Sequence, residues 1–439
     1  MFRYYLLLGL RGLRRNPALT ALMVITLAVG VAASVSTLTI LHVMSGDPIP
    51  GKSRRLLTPL LDVAPAKTYV PGQREPYANQ STYQDVLNML ASGQGARRSV
   101  VYDVFGSIEP ERAGDPLVDI AGMATTAEFF PMFDVPFRHG APWTAADDAQ
   151  GRRVAVLARA KAEALFGPGD PVGKRFRLWG ETFTVAGVLD GWHPIPRFTH
   201  LVNGTGGFFQ GEDQVFVPFR TAIDLNIRSN GNTSCSHESG PGFAGLLASE
   251  CTWIQAWFEL DRAADRPLLQ AWLDAYAAGE QRRGRLDRHA PNQLFDVVEW
   301  MDFLEVVKKD SKLSVWLSFA FLVLCIVNTM GLLLAKFSTR ASEVGVRRAL
   351  GAGRAAIFRQ FLVETGVIGL AGGLLGLLLA YGALLLIRQQ SRDLSTLAHM
   401  DWLMLAATLG IAVGASLVAG LLPTWRACQV APALQLKSQ

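Results

Sequence analysis

Hydrophobic and polar positions follow two different patterns along this chain. Four windows, 16–46, 313–335, 365–387 and 402–425, contain no Asp, Glu, Lys or Arg. Each is long enough for a helix crossing about 30 Å of hydrocarbon, which takes roughly 20 residues. They predict four membrane-spanning helices. The first window is too long for a signal-peptide core of about 7–15 residues and is read as a retained anchor. Between the first and second windows the pattern shortens. Residues 154–157 read as a buried strand, 159–166 as a helix stopped by Gly167-Pro168, and 174–178 with 182–189 as a hairpin around Gly180. Further strands are expected at 214–219 and 253–260, and a helix at 264–278. The region opens loosely, with Pro48, Pro50, Pro59, Pro65, Pro71 and Pro76. At its end Leu294, Val297, Val298, Met301 and Leu304 recur at helical spacing. They predict a stalk helix, 294–312, running unbroken into the second span.

Orientation follows from Lys and Arg beside the spans, which favour the cytoplasmic side. Arg3, Arg11, Arg14 and Arg15 precede the first span. Lys336, Arg340, Arg347, Arg348, Arg354 and Arg359 lie between the second and third, and Arg426 and Lys437 follow the fourth. The expected class is an α-helical membrane protein with four transmembrane helices plus a large α+β periplasmic domain inserted between helices 1 and 2. Its parts are a cytoplasmic amphipathic helix at 1–15, the first span at 16–46 and a periplasmic domain of two subdomains at 47–312. The second span (313–335), a cytoplasmic loop (336–364), the third span (365–387), a short periplasmic loop (388–401), the fourth span (402–425) and a cytoplasmic tail (426–439) follow. In the first helix the arginines and the apolar Phe2, Tyr5, Leu6 and Leu13 fall on separate arcs, which suits the inner membrane interface. This topology puts both termini on the cytoplasmic side of the membrane.

Composition sharpens this picture. Charged residues make up 18% of the chain, against roughly 25% in soluble proteins. The net charge of +5 is explained by the positive-inside bias, and no basic patch with interleaved aromatics points to nucleic acid. Cys235 and Cys251 fall in the periplasmic region, where an oxidising compartment favours a disulfide over two free thiols. In the third span Gly369, Gly372, Gly373, Gly376 and Gly382 form a small-residue face, suited equally to packing within the chain or to dimerisation. Asn328 in the second span is read as a packing residue.

Several chemical signatures fail. Residues 167–174 resemble a phosphate loop in outline, but five residues rather than four separate Gly167 from Gly173. Arg175 follows Lys174 where Ser or Thr is needed. Asn203 and Asn232 head short glycosylation sequons that arise often by chance. His193 and His200 read as turn or surface residues, and Asp147 and Asp148 as a solvated pair. No nucleophile triad, HExxH or zinc spacing is present, so no catalytic, metal or cofactor residue is assigned.

The loop after the second span reads Ser338-Thr-Arg-Ala-Ser-Glu-Val-Gly-Val-Arg-Arg-Ala-Leu-Gly-Ala-Gly-Arg354. Ile357-Phe-Arg-Gln-Phe-Leu-Val-Glu-Thr365 and Gly372-Gly-Leu-Leu-Gly376 follow it. These stretches resemble the signature of MacB-type ABC transporter permeases, a family that includes lipoprotein-releasing permeases and, more distantly, FtsX. Residues 151–190, with Ala164-Leu-Phe-Gly167, Asp170-Pro-Val-Gly-Lys174 and Phe183-Thr-Val-Ala-Gly-Val188, resemble the family's periplasmic core. Leu422-Pro-Thr-Trp-Arg-Ala and Pro432-Ala-Leu434 resemble its ending. The resemblance implies that Ser342, Glu343, Gly345, Arg347, Arg348, Leu350 and Gly351 form a coupling helix docking on an ABC ATPase subunit. Glu343 and Arg347 form an i, i+4 pair on it. It implies ATP and Mg bound by that partner, since no Walker motif occurs here, and a permease that is not itself an enzyme. A second permease copy or paralog, a periplasmic adaptor and an outer-membrane channel are further implied partners, beside the lipid bilayer, which the resemblance implies is the bacterial inner membrane. Efflux, lipoprotein release and regulation of a periplasmic partner remain open functions. The stretch 204–251 carries no motif of the family.

Overall fold

The structure, a computed structural model, describes residues 16–63, 79–109, 117–202, 212–235, 237–286, 291–390 and 402–429. The expected amphipathic helix at 1–15, the prolines at 65, 71 and 76, the sequon at Asn203, most of the 388–401 loop and the tail beyond 429 lie outside these residues. The chain divides into two compact units, Asp47–Val306 and a helical unit made of the segments before and after it.

The helical unit begins with α1 (Pro17–Ser45), whose Pro17 occupies the first turn, where the missing N–H costs nothing. The α+β unit follows. In chain order it contains β1 (Leu56–Leu60), β2 (Ser81–Thr82), α2 (Tyr83–Ala91), β3 (Arg97–Glu109), β4 (Val118–Thr125), α3 (Phe129–Met132), β5 (Phe137–Gly140) and α4 (Ala145–Ala149). Next come β6 (Val154–Leu157), α5 (Arg159–Phe166), β7 (Arg175–Leu178), β8 (Glu181–Leu189), β9 (Val215–Pro218), α6 (Phe219–Asp224) and α7 (Gly242–Ala248). β10 (Thr252–Glu259), α8 (Arg266–Arg282), β11 (Gln293–Asp296) and α9 (Val297–Phe303) complete it.

The strands join in one sheet, ordered β11-β1-β10-β3-β4-β9-β6-β8-β5, with β2 and β7 attached to its side. This sheet lies within the compact unit Asp47–Val306. Most pairs are antiparallel, while β4 with β9 and β6 with β8 run parallel. Both faces are buried, and successive residues of a strand supply opposite cores. Val100, Tyr102 and Val104 of β3 enter one cluster with Trp253 and Phe258, while the intervening Val101 joins Trp257 in the other. The second cluster is aromatic: Phe133 stands at 90° to Trp257 with ring centres 5.7 Å apart. Each fully buried ring of this kind contributes roughly 1.5–3 kcal/mol.

The expected stalk, 294–312, is broken. Leu294 lies in β11 and pairs with Pro59 of β1. Asp296 then caps a new helix in a reciprocal box: its Oδ1 accepts the Glu299 N–H at 2.9 Å, and Glu299 Oε2 accepts the Asp296 N–H at 2.9 Å. That helix, α9, ends at Phe303, and Glu305 takes a left-handed φ of 50°. The next helix starts afresh at Lys309. The periodic apolar positions were real, but they belong to a strand and a short capped helix.

One histidine and one acid differ from expectation, His200 and Asp148. His200 is buried, with Nε2 3.2 Å from Asp103 Oδ1 and 3.4 Å from Asp213 Oδ1. Arg197 Nη2 binds the same carboxylate and the ring. Burial would raise the Asp213 carboxyl, but Arg197 and His200 outweigh it and hold it at about 2. His193 is half-exposed beside Glu212. Asp147 closes the capping box of α4 with Thr144, whereas Asp148 turns inward to accept the Ala127 N–H at 2.8 Å, and burial pushes it up to about 6. The phosphate-loop lookalike is a turn before β7, with Lys174 over the Phe166 ring. Cys235 and Cys251 are joined by a disulfide, with Ser234 bridging to Thr252 beside it.

The helical unit is completed by α10 (Lys309–Ser338), α11 (Ala341–Ala349), α12 (Arg354–Gln390) and α13 (Trp402–Gln429). Among the described residues, four helices are long and apolar enough to cross a membrane. At 1.5 Å per residue α1 and α10 extend about 44 Å, beyond the hydrocarbon thickness.

Candidate coupling site

Helix α11 is built by local rules. Glu343 lies in its first turn and Arg347 and Arg348 in its last, each favourable to the helix dipole. Arg347 Nη2 donates to Glu343 Oε1 at 2.6 Å, with the acid on the N-terminal side as this pairing prefers. The helix stops at Gly351, whose φ of +94° suits a residue without Cβ. There the Gly351 N–H reaches the Arg348 carbonyl and the Ala352 N–H the Arg347 carbonyl, at 3.1 and 3.0 Å, a Schellman arrangement.

One face of α11 is anchored. Val344 joins Phe337, Ile357, Phe361 and Leu333 in a buried cluster with Met23 and Leu27 of α1, and Gly345 is buried too. Arg347 also donates to Gln360 Oε1 of α12 at 3.1 Å. The opposite side carries apolar groups outward: Val346 is 51% exposed and Leu350 83% exposed. Ser342 lies in the first turn. The structure thus brings Glu343, Arg347 and Gly351 together in forming the helix, and leaves Val346 and Leu350 as knobs on its surface. Val346 was no part of the expected set, although its spacing of four from Leu350 was visible.

Beneath the helix lies an ion cluster that sequence reasoning gave no role. Lys336 Nζ stands 2.8 Å from Glu364 Oε1, and both side chains are buried. Arg340 Nη1 reaches the two Glu364 oxygens at 3.2 and 3.1 Å. Lys336 also donates to Thr20 Oγ1 of α1 at 3.4 Å. A lysine ending one apolar window and a glutamate preceding the next were the available signal.

The glycines of the third span face two different helices. A Cβ on Gly369 would lie 1.9 Å from Ser416 Oγ, and one on Gly373 2.7 Å from Ala412 Cβ, both on α13. On Gly372 it would meet Leu27 Cβ at 3.2 Å, and on Gly376 the Ala28 carbonyl at 3.0 Å, both on α1. Gly382 has nothing within 4 Å. The face therefore serves packing inside the chain. Among the described residues no group of three His, Cys, Asp or Glu side chains is placed to hold a metal ion.

The profile of the MacB-like periplasmic core domain matches residues 20–276, more than half the chain, and that of the FtsX-like permease C-terminal region matches 315–432. The chain belongs to the MacB-like ABC permease family. The macrolide export ATP-binding/permease protein MacB of Marinobacter nauticus is 27% identical over 72% of this chain and 43% of its own length. The pyoverdine export ATP-binding/permease protein PvdT of Pseudomonas entomophila is 23% identical over 96% of this chain and 57% of its own. This permease-family chain thus spans about half the length of the curated relatives it matches. The crystal structure of the periplasmic region of MacB from Actinobacillus actinomycetemcomitans aligns over 58% of this chain and 95% of that one, at 13% identity and a TM-score of 0.36. MacB-like architecture and four apolar helices make it a multi-pass membrane protein.

Proposed function

We propose that this chain is the permease component of an ATP-driven export system in the bacterial inner membrane, with an ABC ATPase docking on α11. The observation that carries this reading is the pair of exposed apolar knobs, Val346 and Leu350, on a helix otherwise anchored and ion-paired. Side chains of that kind suit the apolar floor of a groove on a partner. The arginines around the loop favour the cytoplasmic side, where ATP is available. ATP-driven closure of the partner would push α11, and the long helices α1 and α10 would pass that displacement to the periplasmic core domain. A second copy or a paralog completes the transporter. α10 suits that contact, being the least enclosed of the four spans and carrying Asn328 on its exposed side. A periplasmic adaptor and an outer-membrane channel would carry the substrate onward, whether drug, peptide or lipid-linked molecule, and relatives named for macrolide and pyoverdine export support that class.

The test is Leu350→Ala in the full chain reconstituted with its cognate ABC ATPase. The side chain is already exposed, so thermal stability of the chain alone should not change. Removing its buried contact in the complex should cost about 2 kcal/mol, roughly 30-fold in Kd for the ATPase. Wild-type affinity and stimulation in both Leu350→Ala and Leu350→Asp would refute docking at this helix.

A further inference from the structure

The ion cluster under the coupling helix has a geometry that the docking role of α11 does not require. Glu364 is a single buried carboxylate on α12, yet it holds groups from two other segments. Lys336 comes from the last turns of α10, and Arg340 immediately precedes α11. Through Lys336 and Thr20 the cluster also touches α1. Beside it the rings of Phe337 and Phe361 pack with centres 4.3 Å apart, one from α10 and one from α12.

We propose that Glu364 is a positioning residue for coupling: it ties the N-terminal end of α11 to α10, α12 and α1, so that displacement of α11 moves the three helices together. This rests on the reading of α11 as the ATPase-coupling helix. The physical ground is the contrast between two ion pairs. Glu343–Arg347 is a half-exposed ion pair within one helix, screened by water, and Arg347 reaches α12 through a hydrogen bond to the neutral Gln360. Glu364 is buried, its partners come from different helices, and separating them would leave charges without compensation in a poorly polar site. A contact of that kind resists displacement over a fraction of an ångström, which is the property a rigid joint needs. Val344 and Gly345 hold the middle of α11 by apolar packing alone, which tolerates sliding more readily than directed ion pairs.

The experiment uses the full chain in nanodiscs, alone and with its cognate ATPase, in four forms: wild type, Glu364→Gln, Glu364→Asp and Arg340→Gln. Arg340→Gln cuts the link to α11 while leaving Lys336 paired with Glu364, so it serves where Glu364→Gln fails to fold. Amide hydrogen exchange over residues 341–353 should rise tenfold or more in Glu364→Gln and Arg340→Gln, with the periplasmic core domain unchanged. In assembled complexes the stimulated ATPase kcat should fall tenfold or more at unchanged KM for ATP, and Glu364→Asp should recover part of it. A residue serving folding alone would lower yield and leave turnover per complex intact. Wild-type exchange in Arg340→Gln, or raised exchange with wild-type turnover, overturns the role given to Glu364. Absence of stimulation by the wild-type chain overturns the coupling reading itself, and this proposal with it.

Discussion

Replacing single glycines of α12 by alanine tests the packing of the helical unit one contact at a time. At Gly369 the new methyl would lie 2.4 Å from Ser416 Cβ as well as 1.9 Å from its Oγ, and at Gly373 it would lie 2.7 Å from Ala412 Cβ. Ordinary carbon contacts sit at about 3.5–4.0 Å. Accommodating either methyl therefore requires α12 and α13 to part by about 1 Å along a seam of close contact. Overpacking of this degree costs about 1–3 kcal/mol. At Gly372 the nearest atom, Leu27 Cβ, is 3.2 Å away, so a small local shift suffices and the loss should stay below about 1 kcal/mol. At Gly382 nothing lies within 4 Å, and exchanging glycine for alanine inside a helix favours folding by about 0.5–1 kcal/mol. The expected order of stability is thus Gly382→Ala, then wild type, Gly372→Ala, Gly373→Ala and Gly369→Ala. Denaturant unfolding of the full chain in mixed micelles, followed by far-ultraviolet circular dichroism, reads this order. Ser416→Gly removes the obstructing atoms and leaves the Ala412 carbonyl, 3.2 Å from the new methyl. It should restore most of the loss at Gly369, a coupling of about 1–3 kcal/mol between the two sites. Equal losses at Gly369 and Gly382, or no recovery in the double variant, would refute the packing argument.

Two further outcomes concern the periplasmic core domain. Cys235 and Cys251 close a loop with a sequence separation of 16, and a loop of about that length limits unfolded-chain entropy by about 3 kcal/mol. Replacing both by serine should lower the unfolding free energy by that order, and adding reductant should then have no further effect. Equal stability of reduced and oxidised wild type would contradict this. Asp213 is held at about 2, below its ordinary 3.8, so its contribution is complete above pH 3.8 and is lost as pH falls toward 2. The shift corresponds to about 2 kcal/mol. Asp213→Asn should flatten the acid limb of the stability curve between pH 4 and 2, and an unchanged limb would rule the carboxylate out as its source.

Short-range features were the ones legible along the chain. β6, α5 and the β7–β8 hairpin stand within a residue or so of the expected limits, because apolar alternation and the glycines at 167 and 180 act over a few neighbours. The same logic misled at 294–312. Helical spacing predicts one helix there, but Asp296 and Glu299, three apart, mark a fresh helix start. His200 could not be placed by spacing at all, because its burial depends on Asp103 in β3 and Asp213 before β9.

The sequence by itself determined four spans, a large insertion after the first, the charged loop and a helix within it bounded by glycine. Those properties follow from hydropathy summed over about twenty residues and from pairs one helical turn apart. Only the tertiary structure decided that the glycine face of α12 is shared between α1 and α13, and that the outer strands make one sheet. It also decided that Lys336, Arg340 and Glu364 meet. Each of these depends on partners far apart along the chain, and local pattern carries no information about which distant helix or strand will lie opposite.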